Sequence, residues 1–64
     1  GHLTIGDRVL GTRGEYLGVS GTVMEIPRGS HILETGAKVS GAYIKFDGSK
    51  ESVFVPFLNL ERLL

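Results

Sequence analysis

The sequence has no cysteine and no tryptophan, and its charges cancel, with seven Lys and Arg against seven Asp and Glu. Without cysteine the chain can form no disulfide, and it has no Cys/His cluster that could hold zinc, so we expect no metal and no cofactor. Balanced charge gives no large net field toward nucleic acid or a membrane surface. The lack of cysteine is also compatible with a reducing compartment, and we expect an intracellular protein, nuclear or cytoplasmic.

Long apolar runs are absent as well. The stretch 53–58, which carries no charge, is far too short to span a bilayer, so we expect no membrane partner. Sixty-four residues with 41% hydrophobic content allow one compact core, and we treat residues 1–64 as a single domain. The start at Gly1 and His2, without methionine, is typical of a cloning remnant on a piece excised from a larger protein.

Residues 18–26 are the stretch around which the chain is organised. They read as a strand that begins at two glycines and ends at Pro27. Gly21 inside this strand indicates a bulge or a place where another backbone passes closely. Val23 is the first core candidate, whereas Met24 and Ile26 share the other face unless a bulge buries them.

The segments on either side complete the first half. Residues 3–10 predict a lead-in and first strand with Ile5 and Val9 as apolar anchors, and residues 12–18 predict a surface loop. Residues 27–41 are long for a plain loop. Its apolar residues therefore predict a short hairpin whose tip is Gly36; they are Ile32, Leu33 and Val39.

The second half has a clearer pattern. Residues 42–47 alternate strictly, with Ala42, Ile44 and Phe46 facing inward. Asp47 and the following glycine predict a tight turn into an antiparallel strand over 51–55, which Pro56 stops. A single 3-10 turn over 57–59 and a last strand over 60–64 follow. The prediction is an all-β domain, a five-stranded small barrel with one short 3-10 turn before the last strand.

Three segments of the first half resemble the KOW and Tudor-like branches of the SH3-like small barrels. They are IGDRV at 5–9, GEYLGVSGTV at 14–23, and Ile26. Together they are similar to the KOW pattern of a Gly-Asp-x-Val strand, a loop and a G-x-x-G-x-V strand. The resemblance implies an SH3-like barrel that binds protein or RNA, although the 27–41 loop is longer than in a minimal KOW unit.

The end of the chain, FVPFLNLE at 54–61, resembles the last strands and tight turn of SH3 domains. The acidic ALYDY stretch and the gripping tryptophan of those domains are missing, so polyproline binding is not carried over. The Leu-Gly-Val-Ser-Gly-Thr-Val strand with a Val-Pro-x-x-x-Leu ending is also similar to the SH3-like accessory domain of cytoplasmic 5′-to-3′ exoribonucleases.

No set of residues predicts catalysis. His2 falls in the expected cloning remnant and His31 in the long loop, and neither is beside a nucleophile motif. The glycines of 11–21 lack a P-loop lysine and a following helix, so they read as turn glycines. We therefore expect no enzyme activity and no small-molecule substrate.

Candidate binding residues are aromatic or basic side chains at loops and on outward faces. They are Arg13, Tyr16, Arg28, Tyr43, Lys45 and Phe57. Stacking rings beside basic groups are typical of RNA contact, and three rings around one pocket would form a methyl-lysine cage. Ordinary solubilising charges and ring packing explain the same residues.

The function predicted from the sequence is a non-catalytic interaction module inside a larger protein of transcription, RNA processing or chromatin. Its rim, formed by the first loop and the long loop, would bind a protein or peptide, the rest of the parent chain, or RNA. The alternative is an accessory domain that positions nucleic acid for a nuclease such as a 5′-to-3′ exoribonuclease.

Overall fold

The computed structural model describes residues 2–64, and Gly1 lies outside the described residues. The strands are β1 (Arg8–Gly11), β2 (Ser20–Glu25), β3 (His31–Ile32), β4 (Lys38–Val39), β5 (Gly41–Phe46), β6 (Val53–Pro56) and β7 (Leu60–Arg62). The first 3-10 turn spans Gly14–Tyr16 and the second spans Phe57–Asn59. The described part of the chain holds no helix with the length and apolar character that a membrane crossing requires.

Five strands form the main sheet in the order β6-β5-β2-β1-β7, and every neighbouring pair is antiparallel. β3 and β4 form a separate two-stranded hairpin. The all-β class is therefore confirmed, as is the 3-10 turn before the last strand. The first 3-10 turn, in the loop between β1 and β2, was not predicted.

The main sheet is not closed into a barrel. β6 and β7 lie at opposite ends of the strand order and do not pair within residues 2–64. The second 3-10 turn joins them directly and turns the chain from the end of β6 onto β1. Closure would also need donors along β6, and this strand ends in Pro56, which has no N–H.

One face of the main sheet carries the core. Its fully or almost fully buried side chains are Val9, Val23, Ala42, Ile44, Phe46 and Val55. Strict alternation along β5 places three of them on this face, as the sequence predicted. No polar or charged residue among the described ones is buried, so the packing of these apolar groups supplies the stability.

Gly21 is the close approach that the sequence predicted. A Cβ built on it would lie 2.7 Å from Ile44 Cγ2 and 2.8 Å from the Lys45 carbonyl oxygen. The bulge in β2 lies further along, because the register with β5 shifts between Val23 and Glu25. Met24, the extra residue, is therefore left exposed, whereas Ile26 packs against the core.

Ile5 is not a core anchor, which corrects the sequence prediction. Residues 4–7 form a turn in which the Asp7 N–H donates to the Thr4 carbonyl oxygen at 3.0 Å. Gly6 has a φ of 95°, as the third residue of a type II turn requires. This geometry points Ile5 at solvent, where 68% of it is exposed, and Leu3 packs against the core instead.

The long loop contains the predicted hairpin, β3 and β4, and its turn includes Gly36, whose N–H donates to the Leu33 carbonyl oxygen at 2.9 Å. Ile32 does not pack down, since 65% of it is exposed. The alternation of side chains along the hairpin turns His31 and Val39 toward the domain instead.

Candidate functional site

Three of the six predicted binding residues are exposed basic side chains on separate elements. Arg13 precedes the first 3-10 turn, Arg28 lies between β2 and β3, and Lys45 lies on β5 opposite Thr22. None of the three takes part in an ion pair or side-chain hydrogen bond within residues 2–64. The structure therefore supplies no contact that brings Arg13 and Arg28 together as one rim.

Tyr16 is held against the core by a stacked ring pair. Its ring lies parallel to that of Phe46, with centroids 4.1 Å apart and planes at 4°. Phe46 points to the core face of β5, whereas Tyr43 lies three residues earlier and points to the opposite face. Tyr16 and Tyr43 are thus on opposite sides of β5 and do not share a methyl-lysine cage.

Tyr43 belongs to a group of three rings on the outer face of the main sheet, which we call the aromatic cluster: His31, Tyr43 and Phe54. Tyr43 lies opposite Phe54 in the β5–β6 register, with centroids 5.6 Å apart and planes at 72°. His31 stacks on Phe54 at 4.0 Å and meets Tyr43 edge-on at 6.4 Å. The cluster fastens the β3–β4 hairpin onto the outer face.

The sequence interpretation missed His31, which it placed as an ordinary surface residue of the long loop. A signal was present, because the register of a short hairpin centred near Gly36 puts His31 on the same face as Val39. Its stacking partner could not be read in the same way. Phe54 lies in β6, and only the fold of the hairpin over β5 and β6 brings the two rings together.

Phe57, the sixth predicted residue, lines an apolar pocket of about 380 Å³. Its walls come from the lead-in to β1, the residue after β2, the second 3-10 turn and β7. The lining residues are His2, Leu3, Ile26, Phe57, Leu60 and Arg62. We call this the apolar pocket, and its volume lies within the range of pockets that bind small ligands or single side chains.

The walls of the apolar pocket are held in place by side-chain packing and by one backbone hydrogen bond. The Phe57 N–H donates to the Ser40 carbonyl oxygen at 3.0 Å, which fixes the start of the second 3-10 turn beside β5. Leu3, Ile26 and Leu60 rest on the core from the other side. Phe57 is 37% exposed and Leu58, next along the same turn, is 71% exposed, so only the first contributes to the wall.

Arg62 gives the apolar pocket a charged rim. Its Nε lies 3.5 Å from Asp7 Oδ2, and about half of its side chain is exposed. The Thr4 N–H donates to the same Asp7 oxygen at 2.9 Å. That hydrogen bond, together with the charge of Arg62, lowers the pKa of Asp7 below its usual range. The site thus combines apolar walls with an accessible guanidinium.

A second ion pair lies away from the apolar pocket. Arg8 donates to both carboxylate oxygens of Asp47, at 2.8 and 2.5 Å, and its Nη1 also donates to Thr22 Oγ1 at 3.0 Å. The hydrogen bonds from Arg8 lower the pKa of Asp47. This pair joins β1 to the turn after β5.

Residues 2–64 contain no group of three or more His, Asp or Glu side chains that could hold a metal ion. The chain matches no protein-family model, no curated protein and no solved structure. The apolar pocket and the aromatic cluster are the two features of the described residues from which a function can be proposed.

Proposed function

We propose that this chain is an SH3-like interaction module that catalyses no reaction and binds a segment of protein in the apolar pocket. If the five strands of the main sheet are numbered along the chain, their order is 4-3-2-1-5, with a 3-10 turn before the fifth. This order and the KOW-like motifs of the first half support the SH3-like assignment. By the same resemblance, the module belongs to a larger intracellular protein of transcription, RNA processing or chromatin.

The apolar pocket is the observation that carries the protein-binding proposal. It is concave and lined mainly by apolar side chains, with Arg62 as a polar group at its rim. A site of this kind suits an apolar side chain that is presented on a peptide, since buried apolar anchors dominate the affinity of such contacts. Phe57, already half-exposed, is the side chain that such an anchor would meet.

The test is a titration of the ¹⁵N-labelled domain with ten-residue Ser/Thr peptides that carry one central Leu, Phe or Val. The peptide without an apolar residue serves as the blank. We expect the amide signals of the pocket-lining residues to shift with an apolar peptide and not with the blank. Phe57→Ala should weaken that binding about tenfold, the usual scale for the loss of an anchor contact.

Leu58→Ala is the matched control for this test. It removes an equally apolar side chain from the same 3-10 turn, but one that does not line the apolar pocket. Its affinity for the peptide should stay unchanged. The proposal is overturned if no apolar peptide shifts any pocket signal, or if Leu58→Ala weakens binding as much as Phe57→Ala does.

A second candidate function is contact with single-stranded RNA on the outer face, as in an accessory domain that positions nucleic acid for a nuclease. Lys45 lies two residues from Tyr43 on this face of β5, so a cation stands beside the aromatic cluster. A ten-residue oligouridine should then bind at low salt, weaken as salt rises, and lose affinity with Tyr43→Ala. No measurable binding at low salt would rule this candidate out.

A further inference from the structure

The backbone of β7 has free hydrogen-bonding groups on the side away from β1. The Leu63 N–H donates to the Arg8 carbonyl oxygen, and the Thr12 N–H donates to the Asn59 carbonyl oxygen, both at 2.8 Å. Because alternate residues of an antiparallel strand face the same neighbour, Leu60 and Arg62 direct their backbone groups away from β1. The Leu60 N–H donates a hydrogen bond to the Phe57 carbonyl oxygen.

Three groups therefore remain at this edge without a strand partner in residues 2–64: the Leu60 carbonyl, the Arg62 N–H and the Arg62 carbonyl. The side chains of the same two residues point to one face of β7 and both line the apolar pocket. A strand that paired with Arg62 would thus place its own alternate side chains at the mouth of that pocket.

We propose that β7 accepts an extended protein segment as an additional antiparallel strand, with an acidic side chain opposite Arg62 and an apolar side chain in the apolar pocket. This inference rests on the proposed function of the pocket and names how its ligand binds. Strand addition of this kind takes affinity from main-chain hydrogen bonds and specificity from pockets for alternate side chains.

The register sets the order of the two recognised residues. In an antiparallel pair, the residue opposite Arg62 comes two positions before the residue opposite Leu60. Charge complementarity selects Asp or Glu for the first position. Arg62 contacts Asp7 through its Nε but stays half-exposed, and unlike charges opposite each other stabilise a sheet. The segment that fits therefore consists of an acidic residue, then any residue, then an apolar residue.

The experiment uses the peptide Ser-Thr-Glu-Thr-Leu-Thr-Ser-Thr, with affinity measured by titration calorimetry and amide exchange by NMR. We expect the Arg62 amide to become protected when the peptide binds. N-methylation of the peptide Glu removes a donor that faces β7 and should weaken binding at least tenfold. N-methylation of the Thr between Glu and Leu alters a donor that faces away and should leave affinity unchanged.

Charge exchange tests the second half of the proposal. Replacing the peptide Glu with Lys should weaken binding to the natural domain, and Arg62→Glu should restore binding of the Lys peptide while weakening that of the Glu peptide. Arg28→Glu makes the same charge change at an exposed site outside the apolar pocket and should alter neither affinity.

The outcomes separate this proposal from the proposed function. Binding of the Leu peptide with equal effects of the two N-methyl groups overturns strand addition and leaves the pocket as a binding site. Absence of binding by every Leu-containing peptide overturns both. A free domain that sediments as a dimer, with its Arg62 amide already protected, assigns the edge to a second copy and overturns the proposal of a separate partner segment.

Discussion

β6 and β7 are both edge strands of the same sheet, yet they present different groups to solvent. The Phe57 N–H to Ser40 bond sets the alternation along β6, so Phe54 and Pro56 face away from β5. Phe54 directs an N–H and a carbonyl to that side, but Pro56 offers no donor there. The Phe54 ring lies on the outer face of the sheet, where His31 stacks on it. At the β7 edge, Arg62 presents both a donor and an acceptor beside the apolar pocket.

The two edges of this small sheet are therefore unequally open to a further strand. A proline at an edge is one means by which proteins limit pairing with other chains, and β6 ends in Pro56. β7 is short, with three residues, but nothing else among the described residues blocks it. An open edge beside a pocket is consistent with a binding role for β7, and we expect β6 to have none.

Gly21→Val is expected to cause the largest loss of stability, because it disrupts the centre of the sheet on which both edge strands depend. Gly21 lies between β1 and β5, opposite Val9 and Phe46, and so joins the half of the sheet that ends in β7 to the half that ends in β6. A side chain there would collide with the β5 backbone and should cost about 3 kcal/mol or more. Urea unfolding followed by circular dichroism measures this loss.

Thr22→Val is the matched control, since it introduces the same side chain into the next position of β2. It removes one hydrogen bond with Arg8 and should cost about 1 kcal/mol or less. An unchanged unfolding midpoint for Gly21→Val would contradict the close approach of β2 to β5.

Gly41→Ala should have the second largest effect and should weaken the β6 edge more than the β7 edge. A Cβ at Gly41 would collide with the Val55 carbonyl oxygen and would lie 2.7 Å from the Phe54 ring, so β6 must move. We expect a loss of about 2 kcal/mol and faster amide exchange in β6 than in β7. Ser40→Ala, at the exposed neighbouring position, should change neither; equal loss of protection at both edges would show that they are not independent.

His31→Ala should loosen the β3–β4 hairpin on the outer face of β5 and β6, at a smaller cost in stability. Removing the ring that stacks on Phe54 should lower stability by about 1 kcal/mol and speed amide exchange in the β3–β4 hairpin. Ile32→Ala truncates the adjacent exposed side chain and should have little effect. A hairpin that keeps its protection in His31→Ala would mean that the aromatic cluster does not hold it.

Acidification should give the smallest effect, since the Arg8–Asp47 pair is exposed and the Arg62 partner of Asp7 is half-exposed. Asp47 and Asp7 have lowered pKa values, so folding favours their charged forms. Their contribution is complete above the unfolded pKa of about 3.9 and is lost as the pH falls through the lower folded values. The melting temperature should therefore drop below about pH 4.

Single substitutions assign this pH dependence. Asp47→Asn should remove the part of the pH dependence of the melting temperature that comes from the pair with Arg8. Asp7→Asn should remove the part that comes from the pair at the β7 edge. Glu51→Gln, at an exposed position outside both pairs, is the control. A pH profile that keeps its natural shape in both Asp variants would contradict the assignment.

Local sequence was enough to predict much of the main sheet. The alternation over 42–47 identified the buried residues of β5, and the glycine at position 21 identified the close approach of two strands. The final 3-10 turn followed from Pro56 and the residues after it. These features depend on backbone geometry and on a period of two, and both are properties of short segments.

The candidate sites were less predictable for the same reason. Phe57 was chosen as a binding residue without its pocket, whose other walls come from residues as distant as Leu3 and Ile26. Tyr16 was expected at the rim, but Phe46, thirty residues away along the chain, offers it a stacking surface. Whether a tyrosine ring is buried depends on such distant partners, and the neighbouring residues in the sequence do not predict it.

Local residue patterns were sufficient to predict that this protein is all-β, where most of its strands lie, and which side chains of β5 enter the core. The packing of distant segments determines that the sheet stays open, that His31 stacks on Phe54, and that the backbone of Arg62, on the side away from β1, has no strand partner within residues 2–64. Strand formation is governed by neighbouring residues, whereas the exposure of an edge depends on which distant segments fold against it.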